Sequence, residues 1–276
     1  MVSKLVDMIR RSRLKLGIGV SLIAIFVMIS ISLPSDDQGQ PSSPTPEWSY
    51  DGETGPEYWD EIEHLGSACG GEHQSPINII ECFTENVKET VLNFEINYAP
   101  YTKIHDVLNN GHTIQYSFER GDFVIYNNER FDLLQMHFHE PAEHTVNGIR
   151  YPLELHMVHQ GKHDNFLVLS IMAQEGLSSE PFQFLESYLP LQPQEKKVVH
   201  AGYDLNQNLP DILDYFLYAG SLTTPPCTES VEWIVFKHPI TVSHEQVAAL
   251  KVLMPTNNYR LKQDLNDRTV TLHVIE

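Results

Sequence analysis

The chain has 276 residues, enough for one large domain with a substantial core, and nothing in it demands two. Its 37 acidic residues against 18 basic ones give a formal charge of −19. A charge of that sign argues against a phosphate-neutralising surface, and so against nucleic-acid binding. The composition is otherwise that of an ordinary globular protein apart from 14 histidines, and no internal repeat is evident.

In chain order, the first element is an uncharged, mainly apolar run from Leu16 to Leu33, preceded by Lys4, Arg10, Arg11, Arg13 and Lys15. Residues 1–33 are therefore expected to be an N-terminal signal peptide or membrane anchor. The run is long for a signal core and close to the minimum for a membrane span, and Ser30-Ile-Ser32 offers only a weak cleavage site. The basic flank places the N-terminus in the cytoplasm and the remainder outside. The expectation is export to a periplasmic or extracellular location, either secreted or held to a membrane by this segment. Without residues 1–33 the remainder carries 13 Lys+Arg against 36 Asp+Glu, a formal −23. Residues 34–47, rich in Pro, Ser, Asp and Gln, are expected to be a flexible linker, and 48–276 the globular domain.

Within that domain, short β-type runs dominate: Thr113–Phe118, Phe123–Tyr126, Phe166–Ala173 and Val231–Phe236. Helical signals are few. Asp211–Leu217 follows a proline, and His244–Leu253 follows Ser243 as an N-cap. The fold class is mainly β with minor helices, in a large sheet, sandwich or barrel. Three cysteines cannot all pair with one another, spacing alone chooses no pair, and the absence of C-x-x-C argues against a thiolate zinc site.

The densest chemistry lies in Gln135-Met-His-Phe-His139, then Glu143-His144, then Glu154-Leu-His156. Strand side chains alternate, so Gln135, His137 and His139 share a face, as do Glu154, His156 and Val158. Asn147-Gly148 between the runs is the dipeptide of a tight type I′ turn. If the two runs close as a hairpin, three imidazoles converge and leave a fourth position open, the pattern of a catalytic zinc site. Gln135 and Glu154, each two residues before a candidate ligand, suit groups that fix imidazole orientation and basicity. Three neutral ligands leave the metal its full charge, which lowers the pKa of a bound water to roughly 7. His64, His105, His200, His238 and His273 stand alone and are expected to be packing or surface residues. His137, His139 and Glu143 also match the opening motif of cupin barrels, with the glutamate as a ligand, but the later glycine spacing is not met.

Ser221-Leu-Thr-Thr-Pro-Pro226, Gln74-Ser-Pro-Ile-Asn78, Asn109-Asn-Gly-His112 and Glu143-His-Thr-Val146 together resemble the α-class carbonic anhydrases, in that family's order, from Trp48 to the C-terminus. The resemblance, with the leader, points to an exported bacterial member. It implies a large, twisted, mostly antiparallel central β-sheet and reversible hydration of carbon dioxide to bicarbonate and a proton through zinc-bound hydroxide. His137, His139 and His156 then match the ligands of one zinc ion. Gln135, Glu154 and a backbone carbonyl near Asn258 match their hydrogen-bond partners. Thr223 resembles the hydroxyl that orients the hydroxide and donates to Glu143, and Thr224 the contact to bicarbonate. Val158, Val168, Leu222 and Val231 match an apolar wall for the substrate, with Trp233 nearby. His112 resembles the proton shuttle, with Tyr50, Asn110 and Gln115 around the intervening waters. Cys69 and Cys227 match the disulfide of exported members. Cys82 is left over, with a buried thiol as the default reading and an intermolecular bridge as the other.

Glu140 and Gln160 stand where the family often has aromatics, and no proline follows Arg260. A catalytically silent relative that binds through its cleft is the alternative of a different class, marked by loss of the zinc histidines. All three are present here. A homodimer and membrane attachment through the N-terminal segment are both left open.

Overall fold

Apolar residues on the longest strands occupy both faces, so this chain builds a sheet covered on each side. In the computed structural model, which describes residues 48–62, 68–89 and 93–275, the strands follow one another closely. They are β1 (Asn78–Ile79), β2 (Glu85–Glu89), β3 (Phe94–Asn97), β4 (Thr102–Asn109), β5 (Ile114–Phe118), β6 (Phe123–Tyr126), β7 (Glu129–His139) and β8 (Thr145–Val146). Then come β9 (Ile149–Arg150), β10 (Leu153–Gln160), β11 (Phe166–Glu175), β12 (Lys196–Tyr203), β13 (Tyr215–Gly220), β14 (Val231–Phe236), β15 (Ile240–Val242) and β16 (Thr271–Ile275). Two α-helices lie among the described residues, α1 (Glu180–Glu186) and α2 (His244–Lys251). The expected leader and linker fall outside the described residues.

Thirteen strands form one mixed sheet whose main path runs β12-β4-β5-β7-β10-β11-β14-β13-β16-β2. Most pairs are antiparallel; β11 with β14 and β15, and β16 with β2, are parallel. The centre of the sheet is the β7–β10–β11 triplet. Alternation along β10 sends Leu153, Leu155 and Met157 to a core closed by Phe182 and Leu185 of α1 and Val247 and Leu250 of α2. On the opposite face Val158, Val168, Met172, Phe216, Val231 and Trp233 make a second core. The histidines project on this second face.

A bulge decides which way they project. Val158 pairs with Gln135 but the next residue, His159, pairs with Leu133, so Leu134 is the extra residue on β7. Before it, Phe131 and Leu133 face the helix-covered core; after it, Met136 and Phe138 do. An uninterrupted alternation from Phe131 would have turned Gln135, His137 and His139 into that core. The bulge inverts the phase of the strand, and Leu134 is left partly exposed.

Three expectations are corrected. Asp211–Leu217 is not a helix: 211–214 is an irregular segment and Tyr215 opens β13, paired with both β14 and β16. The aromatic run Tyr215-Phe-Leu-Tyr218 packs on a pleated surface, and that packing overrides the helix-start signal of Pro210. Asn147-Gly148 does form a turn, with both φ values positive, but it closes the short β8–β9 hairpin of a separate three-stranded sheet with β1. The β7–β10 pair is thus joined by a small excursion instead of one tight turn. Cys82 is exposed, in a single 3-10 turn at Glu81–Phe83 that has no buried residue. The second expected helix is present as α2, with Ser243 and Gln246 in a reciprocal capping box.

One buried imidazole behind the site makes stability depend on pH. His159 is wholly buried, 2.6 Å from the Tyr98 hydroxyl and 3.2 Å from the Leu167 carbonyl. Burial pushes its pKa down to about 4, from the 6.5 it has in an open chain. Between these values the unfolded chain holds a proton that the folded chain does not. Its contribution is therefore fully present above the open-chain value and is lost as pH falls, by roughly 3 kcal/mol at pH 4. Urea unfolding of the full chain between about pH 7 and pH 4 should show this decline, and His159→Asn should make it shallower.

Candidate metal centre

The antiparallel register of β7 with β10 puts His156 directly opposite His137 and Glu154 opposite His139. One ligand nitrogen from each of His137, His139 and His156 lies within 4.8 Å of the other two. The Nε2 atoms of His137 and His139 are 3.1 Å apart. The chemistry of their partners fixes which nitrogens face inward. His137 Nδ1 is 2.9 Å from Gln135 Oε1, and His139 Nδ1 is 2.6 Å from the Asn258 carbonyl. Both partners only accept, so each Nδ1 carries the proton and each Nε2 a lone pair. His156 is turned the other way: its Nε2 donates to Glu154 Oε1 at 2.7 Å, leaving Nδ1 as its free nitrogen. Burial pushes all three pKa values down, that of His139 to about 4, so the rings are neutral donors before any cation arrives.

Glu154 is the hub behind them. It accepts from His156, from His144 Nδ1 at 2.7 Å, from Ser170 Oγ at 2.6 Å and from the backbone N–H groups of Glu143 and His144. Burial alone would raise its pKa, but electrostatic interactions and hydrogen bonds with His144 and His156 hold it well below the usual carboxylate range. His144, Glu154 and His156 also cluster at metal-ligand distance. Their facing atoms are donor–acceptor pairs rather than converging lone pairs, so the cluster is a hydrogen-bond relay. It continues from His144 Nε2 to the Tyr218 hydroxyl at 2.5 Å and on to Ser75 Oγ at 2.9 Å. Sequence reasoning noted His144 without giving it a role, and missed Ser170 and Tyr218. The adjacency of His144 to Glu143 was the available signal, but a loop carries no periodicity to aim a side chain.

Glu143 is fully buried and its pKa is pushed up to about 7, chiefly by burial. Its Oε1 accepts the backbone N–H of Arg260 at 2.8 Å. Its Oε2 has no partner at hydrogen-bonding geometry; His139 Nε2 is 3.4 Å away, and the Thr223 hydroxyl is near enough to oppose the upward shift. Glu143 lies outside the converging triad, which disfavours the cupin arrangement. The Arg260 side chain, itself buried, donates to Gln74 Oε1, the Ser75 carbonyl and the Cys69 carbonyl. Cys69 and Cys227 are disulfide-bonded across 158 residues. Closing a loop of that length is worth about 5 kcal/mol in the chain-entropy model. The bond pins the turn that bears Thr223 and Thr224, where Cys227 N–H also donates to the Thr224 carbonyl at 2.9 Å.

In front of the triad lies a cavity of about 130 Å³, lined by His137, His139, Gln135, Gln115, Thr224, Asn110, His112, Tyr50 and Trp48. His112 stacks flat on Trp48, with centroids 3.7 Å apart and planes 11° from parallel, and Tyr50 meets it edge-on. Burial lowers the His112 pKa. Asn110 spends its Oδ1 on the N–H groups of His112 and Thr113, so its carbonyl end shapes the turn. Val158, Val168 and Val231 are nearly or wholly buried in one cluster, with Leu222 packed against it. Trp233 lies edge-on to His156 at 4.9 Å and donates to the Ser221 carbonyl. Glu140, next to His139, is buried and paired with Lys251 of α2 at 2.8 Å.

Residues 54–274 match the family of eukaryotic-type carbonic anhydrases. A carbonic anhydrase of Nostoc sp. is 37% identical over 229 residues, covering 82% of this chain and 86% of its own length. One from Klebsiella pneumoniae is 37% identical over 226 residues, covering 81% and 89%. Among solved structures, the α-carbonic anhydrase of Thermovibrio ammonificans superposes with a TM-score of 0.76 at 39% identity, over 81% of this chain and 98% of that one. That of Photobacterium profundum gives 0.72 at 32% identity, over 81% and 99%. With a mainly β fold of the same architecture and a match over most of its length, this chain belongs to the α-carbonic anhydrase family.

Proposed function

We propose that this chain hydrates carbon dioxide reversibly to bicarbonate and a proton, with one zinc ion held by His137, His139 and His156 and with His112 as proton shuttle. The observation that carries the reading is the trio of neutral imidazoles whose outer nitrogens are all committed to acceptors. Such a set offers three lone pairs to one point and adds no charge, which fits a zinc that keeps a fourth position open. Zinc in that position supplies a Lewis acid that brings the pKa of a bound water near 7. A cation beside Glu143 also favours its ionised form, opposing the burial that raises it.

The remaining steps belong to side chains of this protein. Glu143 Oε2, buried and otherwise without a partner, is the acceptor for the Thr223 hydroxyl proton. With that proton committed, the Thr223 oxygen accepts from the nucleophile and aims its free lone pair at the substrate carbon. Val158, Val168, Leu222 and Val231 offer the small apolar substrate a surface that does not compete for the nucleophile. Thr224, on the cavity wall, contacts bicarbonate as it leaves. His112, half-buried at the far side of the same cavity, takes up the proton and passes it to buffer. Tyr50, Asn110 and Gln115 line the path between. Export to an oxidising compartment is part of the proposal, supported by the Cys69–Cys227 disulfide. No helix among the described residues is long and apolar enough to cross a membrane.

Carbon dioxide hydration by the purified protein, with zinc content measured and His156→Ala alongside, tests the reading. Zinc-loaded wild type that does not exceed background would sink it. His112→Ala should lower kcat in weak buffer by about ten- to a hundredfold, and added imidazole should restore it. Glu154→Ala removes the acceptor that orients His156 and should weaken zinc binding by about ten- to a hundredfold in a chelator competition.

A further inference from the structure

Asn258 does more than lend a carbonyl to His139. It is completely buried, and both ends of its amide are used. Oδ1 accepts the backbone N–H of Glu140 at 2.7 Å. Nδ2 donates to the His112 carbonyl and to the Phe138 carbonyl, each at 3.0 Å. An amide has two donor hydrogens, and these two carbonyls take both. One side chain therefore joins the turn that carries His112 to the stretch of β7 that carries His137 and His139.

The rest of the turn is fastened in the same manner. Thr113 Oγ1 donates to the Phe138 carbonyl at 2.6 Å and accepts the Phe138 N–H at 3.2 Å. Asn110 Oδ1 accepts the N–H groups of His112 and Thr113, both at 2.9 Å. Gln194 holds the Asn110 carbonyl at 2.7 Å from outside, and Asn109 Nδ2 donates to the Leu191 and Leu253 carbonyls. The backbone around His112 is thus tied on every side, while among the described residues its ring is held by stacking on Trp48 and an edge-on contact with Tyr50. A stacked ring can turn about its own side-chain bonds; a backbone so bonded cannot follow it. Among these ties Asn258 alone also contacts a ring of the triad, through its own carbonyl to His139 Nδ1.

We propose that the Asn258 side chain is a positioning residue for the proton relay: it fixes the backbone of His112 relative to His137 and His139, so that ring rotation changes the relay and turn drift does not. The proposal deepens the role given above to His112 and rests on it. A relay through water depends on the distance its ends must span, and a turn released from β7 would spend part of its time at unproductive separations.

Replacing Asn258 keeps its backbone carbonyl, so the bond to His139 can be retained while the side-chain bonds are removed. Amide hydrogen exchange on the metal-free protein reads the pin without any catalysis. In Asn258→Ala the amides of Gly111, His112 and Thr113 should exchange at least about tenfold faster than in wild type. In the zinc-loaded protein, kcat in weak buffer should fall about tenfold, kcat/KM should fall less, and imidazole should recover most of kcat. Asn258→Asp keeps the acceptor for Glu140 but sets an oxygen against two carbonyl oxygens, and should act in the same direction.

Unchanged exchange in both variants would overturn the pin. So would kcat and kcat/KM falling together with zinc loss and no response to imidazole, which would reduce Asn258 to a support for His139. If neither variant folds, wild type still decides: His112 and Thr113 amides exchanging as fast as those of the exposed Asn127–Asn128 turn would refute a fastened backbone. If wild type exchanges slowly at the turn and the variants loosen it, yet zinc-loaded wild type hydrates no carbon dioxide, the function proposed above fails while the pin stands.

Discussion

Everything in this site depends on the pairing register of β7 with β10. A strand has a side-chain period of two, so slipping either partner by one residue would carry its polar set through the sheet to the helix-covered core. Each strand carries on its other face residues that oppose a slip: Met136 and Phe138 on β7, Leu155 and Met157 on β10, all essentially buried. The apolar side of the sheet therefore fixes the polar side. The bulge at Leu134 belongs to the same constraint, since it lets one strand serve the core with odd residues before it and even residues after it.

A polar array in the middle of a protein is tolerable only when its donors and acceptors are matched, because an unmatched buried group costs about 1–3 kcal/mol and a charged one more. Glu154 meets that condition with its several donors, and the relay through His144, Tyr218 and Ser75 extends it into the second core. The two terminal nitrogens of the Arg260 guanidinium meet it with the carbonyl oxygens of Gln74, Ser75 and Cys69 instead of a carboxylate salt bridge, while its Nε has no hydrogen-bond partner. Its backbone N–H then serves Glu143. Around the triad one carboxylate oxygen is left open, Glu143 Oε2, 3.4 Å from His139 Nε2, where the proposed chemistry needs an acceptor.

Much of this was legible in the chain. The shared face of Gln135, His137 and His139 follows from alternation, and Ser243 with Gln246 marks a helix start by local chemistry alone. What stayed hidden was set by contacts distant in sequence. Tyr215–Tyr218 looked helical because nothing nearby says that β14 and β16 lie on either side of it. The bulge left a trace in the adjacent Leu133 and Leu134, two apolar residues where alternation calls for one, but its direction depends on the partner strand. His144 and the side chain of Asn258 sit in loops, where no period orients a side chain, and their partners lie up to 146 residues away. Trp48 escaped notice for the same reason, since the stack on His112 joins the first described residue to a turn 64 positions later.

The connection between the two ligand strands leaves the main sheet to form its own hairpin, and its tip is exposed at Asn147, Gly148 and Ile149. Glu143 and His144 precede the hairpin, and Glu154 follows it on β10. Outside their own hairpin, the residues at the tip are bonded among the described residues to Asn78, the Ile79 carbonyl and Glu81 at the rim. Added length there projects into solvent and leaves the ligand register where β7 and β10 set it. For anyone fusing a tag, an affinity loop or a surface linkage to this protein, the tip is a natural insertion point close in sequence to His139 and His156 that does not disturb the candidate metal centre.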